Sequence, residues 1–363
     1  MSTTVLEVVS SVAILAVIPA LSILYREFLD RTGVRASAIL TAIISLGSIA
    51  VWLIVSFAIP GVASSPLELP TAALAAVAGF LASLTIRDTT SHVLPALLFS
   101  LGWTTVVFVP VALIVLFPTT LGFSATAGPL DLAGALPVHV AVGAGALVVL
   151  TFARSWTVAD RSHVRPRSWL LYLSGVLIWA GWTIGYVGLE LGLDAVVTPR
   201  IITNAIVAPV LGIIGWLVGQ RIRTATTTPI GAVAGLVSGL VAIAPGCAYF
   251  TPLWAGLTGA VAGLAGSIFV SGWVRRTGRH AWFIVGAHLL SGIIGLLMIG
   301  LFGTGFGFIY DGQTTLVVTQ FVSIVAVVAW STAVSLVLWL LVRQAARHAV
   351  RAESEPASES QPS

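Results

Sequence analysis

Two histidines lie inside stretches that are otherwise apolar enough for the interior of a lipid bilayer. His139 stands near the middle of LDLAGALPVHVAVGAGALVV (130–149), and His288 lies within WFIVGAHLLSGIIGLLMIG (282–300). An ionisable residue is costly in hydrocarbon, so each histidine is a candidate functional group. Burial favours uncharged rings, and a neutral pair offers one donor and one acceptor through which a proton can pass. The pattern therefore predicts a proton relay at His139 and His288.

Two other interpretations of the histidines stay open. Zinc needs three or four ligands, and no third His, Cys or carboxylate is expected at the same depth, which argues against a metal site. A buried histidine can also simply hydrogen-bond to a neighbouring helix. Asp131 precedes His139 at a helix start, where a carboxylate can accept from free N–H groups and meet the positive end of the helix dipole. For Asp131 we predict a supporting role rather than direct chemistry.

The composition indicates that these residues belong to a polytopic helical membrane protein. The chain has 363 residues, of which 58% are hydrophobic and 8% charged, and its mean hydropathy is +1.05. Soluble domains carry roughly 25% charged residues, so lipid is the expected main solvent of this chain. All 17 basic residues are Arg, and they are expected almost entirely in loops on one side rather than in a nucleic-acid-binding patch. The absence of Lys excludes a retinal protein, because the Schiff base needs that side chain.

A membrane-spanning helix needs about 20 apolar residues. That criterion predicts an all-α fold with eleven transmembrane helices at 4–25, 36–60, 69–86, 92–117, 129–153, 168–189, 198–219, 229–246, 252–273, 281–302 and 314–342. Every second loop is rich in Arg, so the positive-inside rule puts the N-terminus outside and the C-terminus in the cytoplasm of a multi-pass cell-membrane protein. Residues 1–345 form one transmembrane domain. Residues 346–363, which are polar and contain Pro and Ser, are predicted to be a short disordered cytoplasmic tail.

The fifth and tenth helices, which carry the histidines, run in opposite directions and are five helices apart. If the first ten helices form two inverted repeats, His139 and His288 occupy equivalent places and can meet near the membrane midplane. Glycines four residues apart also predict that the eighth and ninth helices pack backbone to backbone: Gly231, Gly235 and Gly239 in the eighth, and Gly259 and Gly263 in the ninth.

Several stretches resemble the ammonium transporter/Rhesus superfamily. LDLAGALPVHV is similar to the fifth-helix signature of that family, and VGAHLLSGIIGLLMIGLFG resembles its tenth helix with the histidine. IPALSILYREFLDRTGVRAS resembles the first helix and its loop, and TNAIVAPVLGIIGWLVGQ the seventh. The Gly-rich run GAVAGLVSGLVAIAPGCAYFTPLWAGLTGAVAGLAG is similar to the eighth and ninth. The resemblance implies an inverted 5+5 repeat plus a final helix, assembled as a homotrimer.

The resemblance also implies a function without a cofactor or resident metal. Ammonium would be gathered in an outer vestibule and lose its proton there, and ammonia would cross a hydrophobic pore past the paired histidines His139 and His288. The bilayer and ammonium/ammonia are then the partners. A PII-type regulator is a further family partner, although the tail lacks the long ordered segment that many family members use for it.

The chain departs from the family around the outer vestibule. The position of the family's vestibule tryptophan holds Leu116, and that of its serine holds Leu189. Gly185 and Ala75 stand at the positions of the two gating phenylalanines, and Phe283 replaces an acidic residue before the tenth-helix histidine. Nearby aromatic residues are candidates to rebuild this site: Phe117, Tyr186 and Trp103.

These departures leave two alternative functions open. A pore with an aliphatic vestibule suits another small neutral molecule, such as methylamine or carbon dioxide, and a weakly binding pore suits an ammonium sensor. An enzyme is the least favoured class, because the sequence shows no nucleophile–base pair, carboxylate pair or metal cluster at depth.

Overall fold

The computed structural model describes residues 3–29, 34–89, 92–122, 128–152, 167–279 and 281–354. These residues are helical or form turns, with no β-strand among them. We number the main helices in chain order: α1 Thr3–Leu29, α2 Val34–Ala58, α3 Glu68–Arg87, α4 Val93–Leu116, α5 Ala135–Phe152, α6 Ser168–Leu189, α7 Val197–Thr224, α8 Pro229–Ile243, α9 Pro252–Thr277, α10 Trp282–Phe302 and α11 Thr315–Ser354.

Within the described part of the chain, ten helices are long and apolar enough to cross a membrane. The exception is α8, which has 15 residues and is followed by a buried turn at 244–250. At about 1.5 Å per residue it is shorter than the hydrocarbon layer, so the predicted count of eleven spans is not confirmed. At the other end of the chain, α11 continues to Ser354, beyond the predicted start of the tail, and residues 355–363 lie outside the described residues.

The glycines of α8 and α9 pack on α7 rather than on each other. A methyl group built on Gly239 would lie 2.5 Å from the Ala208 carbonyl oxygen of α7, and one on Gly259 would lie 2.1 Å from the same oxygen. The eighth and ninth helices contact each other, and their glycines let both of them also approach α7 closely. Glycine permits this approach because it carries no Cβ.

Three helices form the centre of the bundle: α3, α5 and α10 are mostly buried, whereas the other long helices expose about half or more of their residues. Both α5 and α10 contain a π-helical turn, at Ala135–Val140 and Val285–Leu290 respectively. Such turns are rare and occur frequently at functional sites. These two turns contain His139 and His288.

A buried ion pair fixes the start of α10 relative to the other central helices. Arg279 donates from Nε to Asp88 Oδ2 at 2.8 Å, just after the end of α3, and from NH1 to the Leu150 carbonyl of α5 at 3.2 Å. Burying charged side chains costs free energy unless they are paired. The pair therefore joins α3, α5 and α10 at the end of the bundle nearest Arg87.

Candidate functional site

The two histidines meet in the interior although 149 residues separate them in sequence. Nδ1 of His139 lies 3.1 Å from Nδ1 of His288, and the rings stack with centroids 5.1 Å apart at 22°. Their exposed fractions are 1% and 2%. One ring must donate and the other accept, because a neutral imidazole carries one N–H. The structure thus brings together the two residues for which the sequence predicted a relay.

The outer ring nitrogens of the pair have different surroundings. Nε2 of His288 lies 2.8 Å from the Tyr25 hydroxyl near the end of α1. Nε2 of His139 is buried and has no hydrogen-bond partner. A buried polar atom without a partner is costly, and such atoms in native structures commonly mark a site for a ligand or water. His139 therefore presents an open hydrogen-bonding position at one end of a three-residue chain.

Aromatic rings continue the line of contacts away from the histidines. Trp182 of α6 packs edge-on against His139 with centroids 5.6 Å apart, and Tyr186 stacks on Trp182 at 5.8 Å and 27°. These residues are one helical turn apart, so they share a face of α6. The rings of Tyr186, Trp182, His139, His288 and Tyr25 form one continuous file, in which Tyr25 lies 6.4 Å from His288.

Trp182 and Tyr25 were not among the sequence candidates. Aromatic residues are common in membrane helices, and nothing in the linear sequence relates Tyr25 to His288 across 263 positions. The spacing of Trp182 and Tyr186 on one face was the one available signal.

Asp131 lies at the start of the π-helical turn that carries His139. Its Oδ1 accepts from Ala135 N–H and its Oδ2 from Leu136 N–H, both at 2.7 Å. Gly134 enters the helix in a left-handed conformation with φ 71°, and Pro137 has no N–H to satisfy. The first N–H groups of the turn are thus paired or absent, which explains why DLAGALP begins a helix here.

The three aromatic candidates for an outer vestibule lie in different places. Phe117 follows the end of α4 and packs against Trp52 at 5.6 Å, in a buried cluster that includes Phe108. Tyr186 is fully buried, and its hydroxyl donates to the Leu240 carbonyl of α8 at 2.8 Å. Both lie toward the end of the bundle that contains the α4–α5 and α6–α7 connections.

Trp103 does not belong to this group. It lies midway along α4, and its Nε1 donates to Ser335 Oγ in the middle of α11 at 3.1 Å. The indole turns toward α11 because Ser335 there accepts its N–H inside an otherwise apolar interface. Trp103 therefore lies in the interface between α4 and α11, apart from Phe117 and Tyr186.

A carboxylate lies just beyond the end of α6. Glu190 is partly buried, and its Oε2 is shielded from solvent without a hydrogen-bond partner. Burial, and then the nearby charge of Asp194, raise the pKa of the Glu190 carboxyl above its usual value. The pKa of Asp194 is lowered because its carboxylate accepts from the Val197 and Val196 N–H groups at the start of α7.

A small cavity reaches Tyr25 from the opposite end of the bundle. Apolar side chains of α1, α8 and α10 form most of its wall: Leu24, Ile230, Ala234, Val237, Phe283 and Ala287. Tyr25 thus stands between this cavity and His288. Among the described residues, no group of three or more His, Cys, Asp or Glu side chains is arranged to hold a metal ion.

Comparisons with known proteins agree with this architecture. The sequence model of the Ammonium Transporter Family matches residues 37–360. An ammonium transporter of Mycobacterium bovis is 30% identical over 271 residues, which cover 68% of this chain and 56% of that protein. This chain therefore spans little more than half the length of that curated relative.

Solved structures show the same fold. The crystal structure of Candida albicans Mep2 superposes with a TM-score of 0.78 at 19% identity, covering 94% of this chain and 84% of that one. A structure described as a sensor Amt protein gives a TM-score of 0.79 at 16% identity, covering 94% and 93% of the two chains. With the family match extending over nearly all of its helices, the chain belongs to the ammonium transporter family.

Proposed function

We propose that the chain conducts ammonia across a cell membrane through a path that passes His139 and His288, with ammonium giving up its proton near the outer mouth. The observation that carries the proposal is the unpartnered Nε2 of His139, which ends the buried chain of hydrogen bonds from Tyr25 through His288. A small molecule that both donates and accepts hydrogen bonds fits that open position.

The hydrogen-bonded chain has two neutral arrangements. In one, Tyr25 O–H donates to His288 Nε2, His288 Nδ1–H donates to His139 Nδ1, and His139 carries its proton on Nε2. In the other, His139 Nδ1–H donates to His288 Nδ1, His288 Nε2–H donates to the Tyr25 oxygen, and His139 Nε2 offers a lone pair. A proton accepted at that lone pair lets His139 pass its Nδ1 proton to His288, which then passes its Nε2 proton to the Tyr25 oxygen while the hydroxyl releases its own proton toward the cavity. One proton enters and one leaves, and the pair returns to neutrality.

The walls of the path favour a neutral passenger. Trp182 and Tyr186 lie on one side of the histidines, and on the other side Tyr25 is followed by an apolar cavity. A bare cation in such surroundings would cost several kcal/mol, whereas ammonia would not. We therefore propose that ammonia and its proton cross by separate routes.

Charge at the proposed outer mouth would gather the cation. Glu190 lies at the end of α6, four residues beyond Tyr186, and Asp194 follows it. The vestibule tryptophan and serine of the family are replaced by Leu116 and Leu189 in this sequence. In their place, the carboxylate of Glu190 supplies an electrostatic attraction for ammonium.

The remaining features of the proposal concern topology and assembly. Arg-rich loops at alternate positions support an outside N-terminus and a cytoplasmic C-terminus. We propose that α8 together with the buried turn after it acts as an eleventh crossing, so that the first ten helices form the inverted 5+5 repeat. Assembly as a homotrimer, a PII-type regulatory partner and the absence of enzymatic activity and of cofactors are expectations from family membership.

Uptake of ammonium by proteoliposomes tests the function. The intact protein is expected to accelerate ammonium uptake over empty vesicles, and His139→Ala and His288→Ala are each expected to lower that uptake by at least about a hundredfold, as for loss of a proton-transfer group. His92→Ala is the matched control, because His92 is exposed at the start of α4. Equal uptake by the intact protein and both pore variants would refute the mechanism.

Another small neutral molecule is the second candidate. The aliphatic residues Leu116 and Leu189 favour it, because neither can hold a cation. Methylamine and carbon dioxide fluxes in the same vesicles separate the two. An ammonium sensor predicts instead an ammonium-dependent response in cells that survives when vesicle transport is absent.

A further inference from the structure

We propose that Trp182 and Tyr186 form a rigid aromatic constriction next to His139, which sets the size of the molecule that reaches the histidines and excludes methylamine more strongly than ammonia. This inference rests on the proposed function, since it assigns the selectivity of that same path. It concerns residues that stand beside, and not at, the family's gating positions, which hold Gly185 and Ala75 here.

The two rings follow one another from the end of α6 toward His139. Tyr186 is about one turn from the helix end at Leu189, and Trp182 is one turn deeper, in edge contact with His139. Both side chains are buried, at 0% and 3% exposure. Anything that approaches His139 along this face of α6 meets Tyr186 first and Trp182 second.

A hydrogen bond fixes the outer ring. The Tyr186 hydroxyl donates to the Leu240 carbonyl at 2.8 Å and so attaches α6 to α8. Releasing it would leave a buried hydroxyl and a buried carbonyl with fewer partners, which is unfavourable in apolar surroundings. Because Tyr186 stacks on Trp182, the bond restrains both rings.

Helix α6, which carries both rings, packs closely against helix α1. A methyl group built on Gly181 would lie 2.8 Å from the Ala13 carbonyl oxygen, and one on Gly188 would lie 2.1 Å from Ser10 Cβ. Glycines at these two positions let α6 rest directly on α1, which leaves no room for α6 to retreat. The two rings therefore cannot move toward α1 by a small shift of α6.

A rigid constriction discriminates by size. A site that cannot expand rejects an added methyl group by roughly 10-fold to 200-fold, the range found for one carbon in close-fitting pockets. Ammonia and methylamine differ by one methyl group and keep the same nitrogen chemistry. Their relative fluxes therefore report the width of the path and not the proton relay.

The experiment compares uptake of ammonium and methylammonium by proteoliposomes that contain the whole chain. Tyr186→Phe keeps the ring and removes only the hydrogen bond to Leu240; we expect the methylammonium-to-ammonium uptake ratio to rise at least about fivefold. Trp182→Phe, which shortens the inner ring, is expected to raise the ratio as well. Tyr172→Phe is the matched control, because Tyr172 lies on the same helix and is 51% exposed.

The outcomes separate this inference from the proposed function. If the intact protein transports ammonium but both variants lower the two fluxes in parallel, Trp182 and Tyr186 are merely structural and the constriction is refuted. If the intact protein transports neither substrate, the proposed function itself fails. Because Tyr186→Phe deletes one atom, it tests the idea even if the variants of Trp182 do not fold.

Discussion

The Tyr25 hydroxyl lies 2.8 Å from His288 Nε2, so that His288 has both ring nitrogens engaged while His139 has only one. The two ends of the histidine pair therefore differ. His139 faces Trp182 and the proposed outer side, and His288 faces Tyr25 and the cavity at the opposite end. Two chemically identical side chains therefore have different surroundings, and each can be tested separately.

Removing the Tyr25 hydroxyl should slow the proton step without opening the path. In Tyr25→Phe the ring remains, but His288 Nε2 loses its hydrogen-bond partner. We expect ammonium-driven current on a solid-supported membrane to fall by about a hundredfold, at the lower end of what a proton-transfer group contributes. Tyr172→Phe on the exposed face of α6 serves as the control. An unchanged current in Tyr25→Phe would remove Tyr25 from the relay.

The two histidines should behave as one unit. Because a single hydrogen bond joins their Nδ1 atoms, loss of either ring interrupts the same chain. We expect His139→Ala, His288→Ala and the double variant to lower ammonium flux to a similar level, as happens for groups that act together. The check is a double-mutant cycle on proteoliposome fluxes. Additive effects on the logarithm of the flux would show that the histidines act independently.

The two histidines at the centre of this site were easier to predict from the sequence than the aromatic residues around them. An ionisable residue at membrane depth carries a cost that makes it visible in one sequence, so His139 and His288 were identifiable. Trp182 and Tyr25 were not, because an aromatic ring in a membrane helix carries no such cost. The contact of Trp103 with Ser335 could not be predicted either, because position along the sequence does not determine which neighbour an indole N–H meets.

Most of the helices were also predictable from the sequence. Length and apolarity identify the ten long helices, since crossing hydrocarbon demands both. The same criterion predicts one continuous segment at 229–246, whereas the helix ends at Ile243 and a buried turn continues to Phe250. That turn is stabilised by Asn204, which donates to the Cys247 and Phe250 carbonyls, a tertiary contact that hydropathy does not report.

Replacing Asp131 should destabilise the turn that carries His139. Its two carboxylate oxygens accept from Ala135 and Leu136 N–H, whereas Asn offers one acceptor oxygen. In Asp131→Asn one buried N–H is therefore left unpaired, at a cost of about 1–3 kcal/mol in the free energy of unfolding. Thermal unfolding in detergent measures the loss. We also expect reduced ammonium flux, because the His139 ring is held less firmly.

Asp311→Asn is the matched control for Asp131. Asp311 accepts from the Gln313 N–H in an exposed turn of the α10–α11 connection, where water replaces a lost hydrogen bond. Equal thermal shifts in the two variants would contradict a special role for the buried carboxylate.

Acidification should weaken ammonium capture through Glu190. Burial and Asp194 raise the pKa of its carboxyl, so on lowering the pH Glu190 becomes neutral sooner than an ordinary carboxyl. Its attraction for ammonium is present above that pKa and lost below it. We expect the KM for ammonium to rise on the acid side, and Glu190→Gln to show a high KM with little dependence on pH. The measurement is the KM between pH 7 and pH 4.

Charged and titratable neighbours of Glu190 provide an internal check. Asp194, Cys247 and Tyr249 lie close enough to interact electrostatically with it, and the Arg200 guanidinium donates to the Ala248 carbonyl in the same region. Asp194→Asn removes a charge that raises the pKa of Glu190, so the rise in KM should move to lower pH. A pH profile identical in the intact protein and in Glu190→Gln would exclude this carboxylate from capture.

Adding a single methyl group at Gly259 should push α9 away from α7. In Gly259→Ala the new Cβ would lie 2.1 Å from the Ala208 carbonyl oxygen, and because that atom belongs to the backbone, the helices themselves must move. Overpacking of this kind costs about 1–3 kcal/mol in the free energy of unfolding. Gly272→Ala on the same helix is the control, since its nearest neighbour is the flexible end of Arg223 at 3.6 Å. Thermal unfolding in detergent should show a clear loss for Gly259→Ala and none for Gly272→Ala. If both variants unfold at the temperature of the intact protein, α7 and α9 are not closely packed at Gly259.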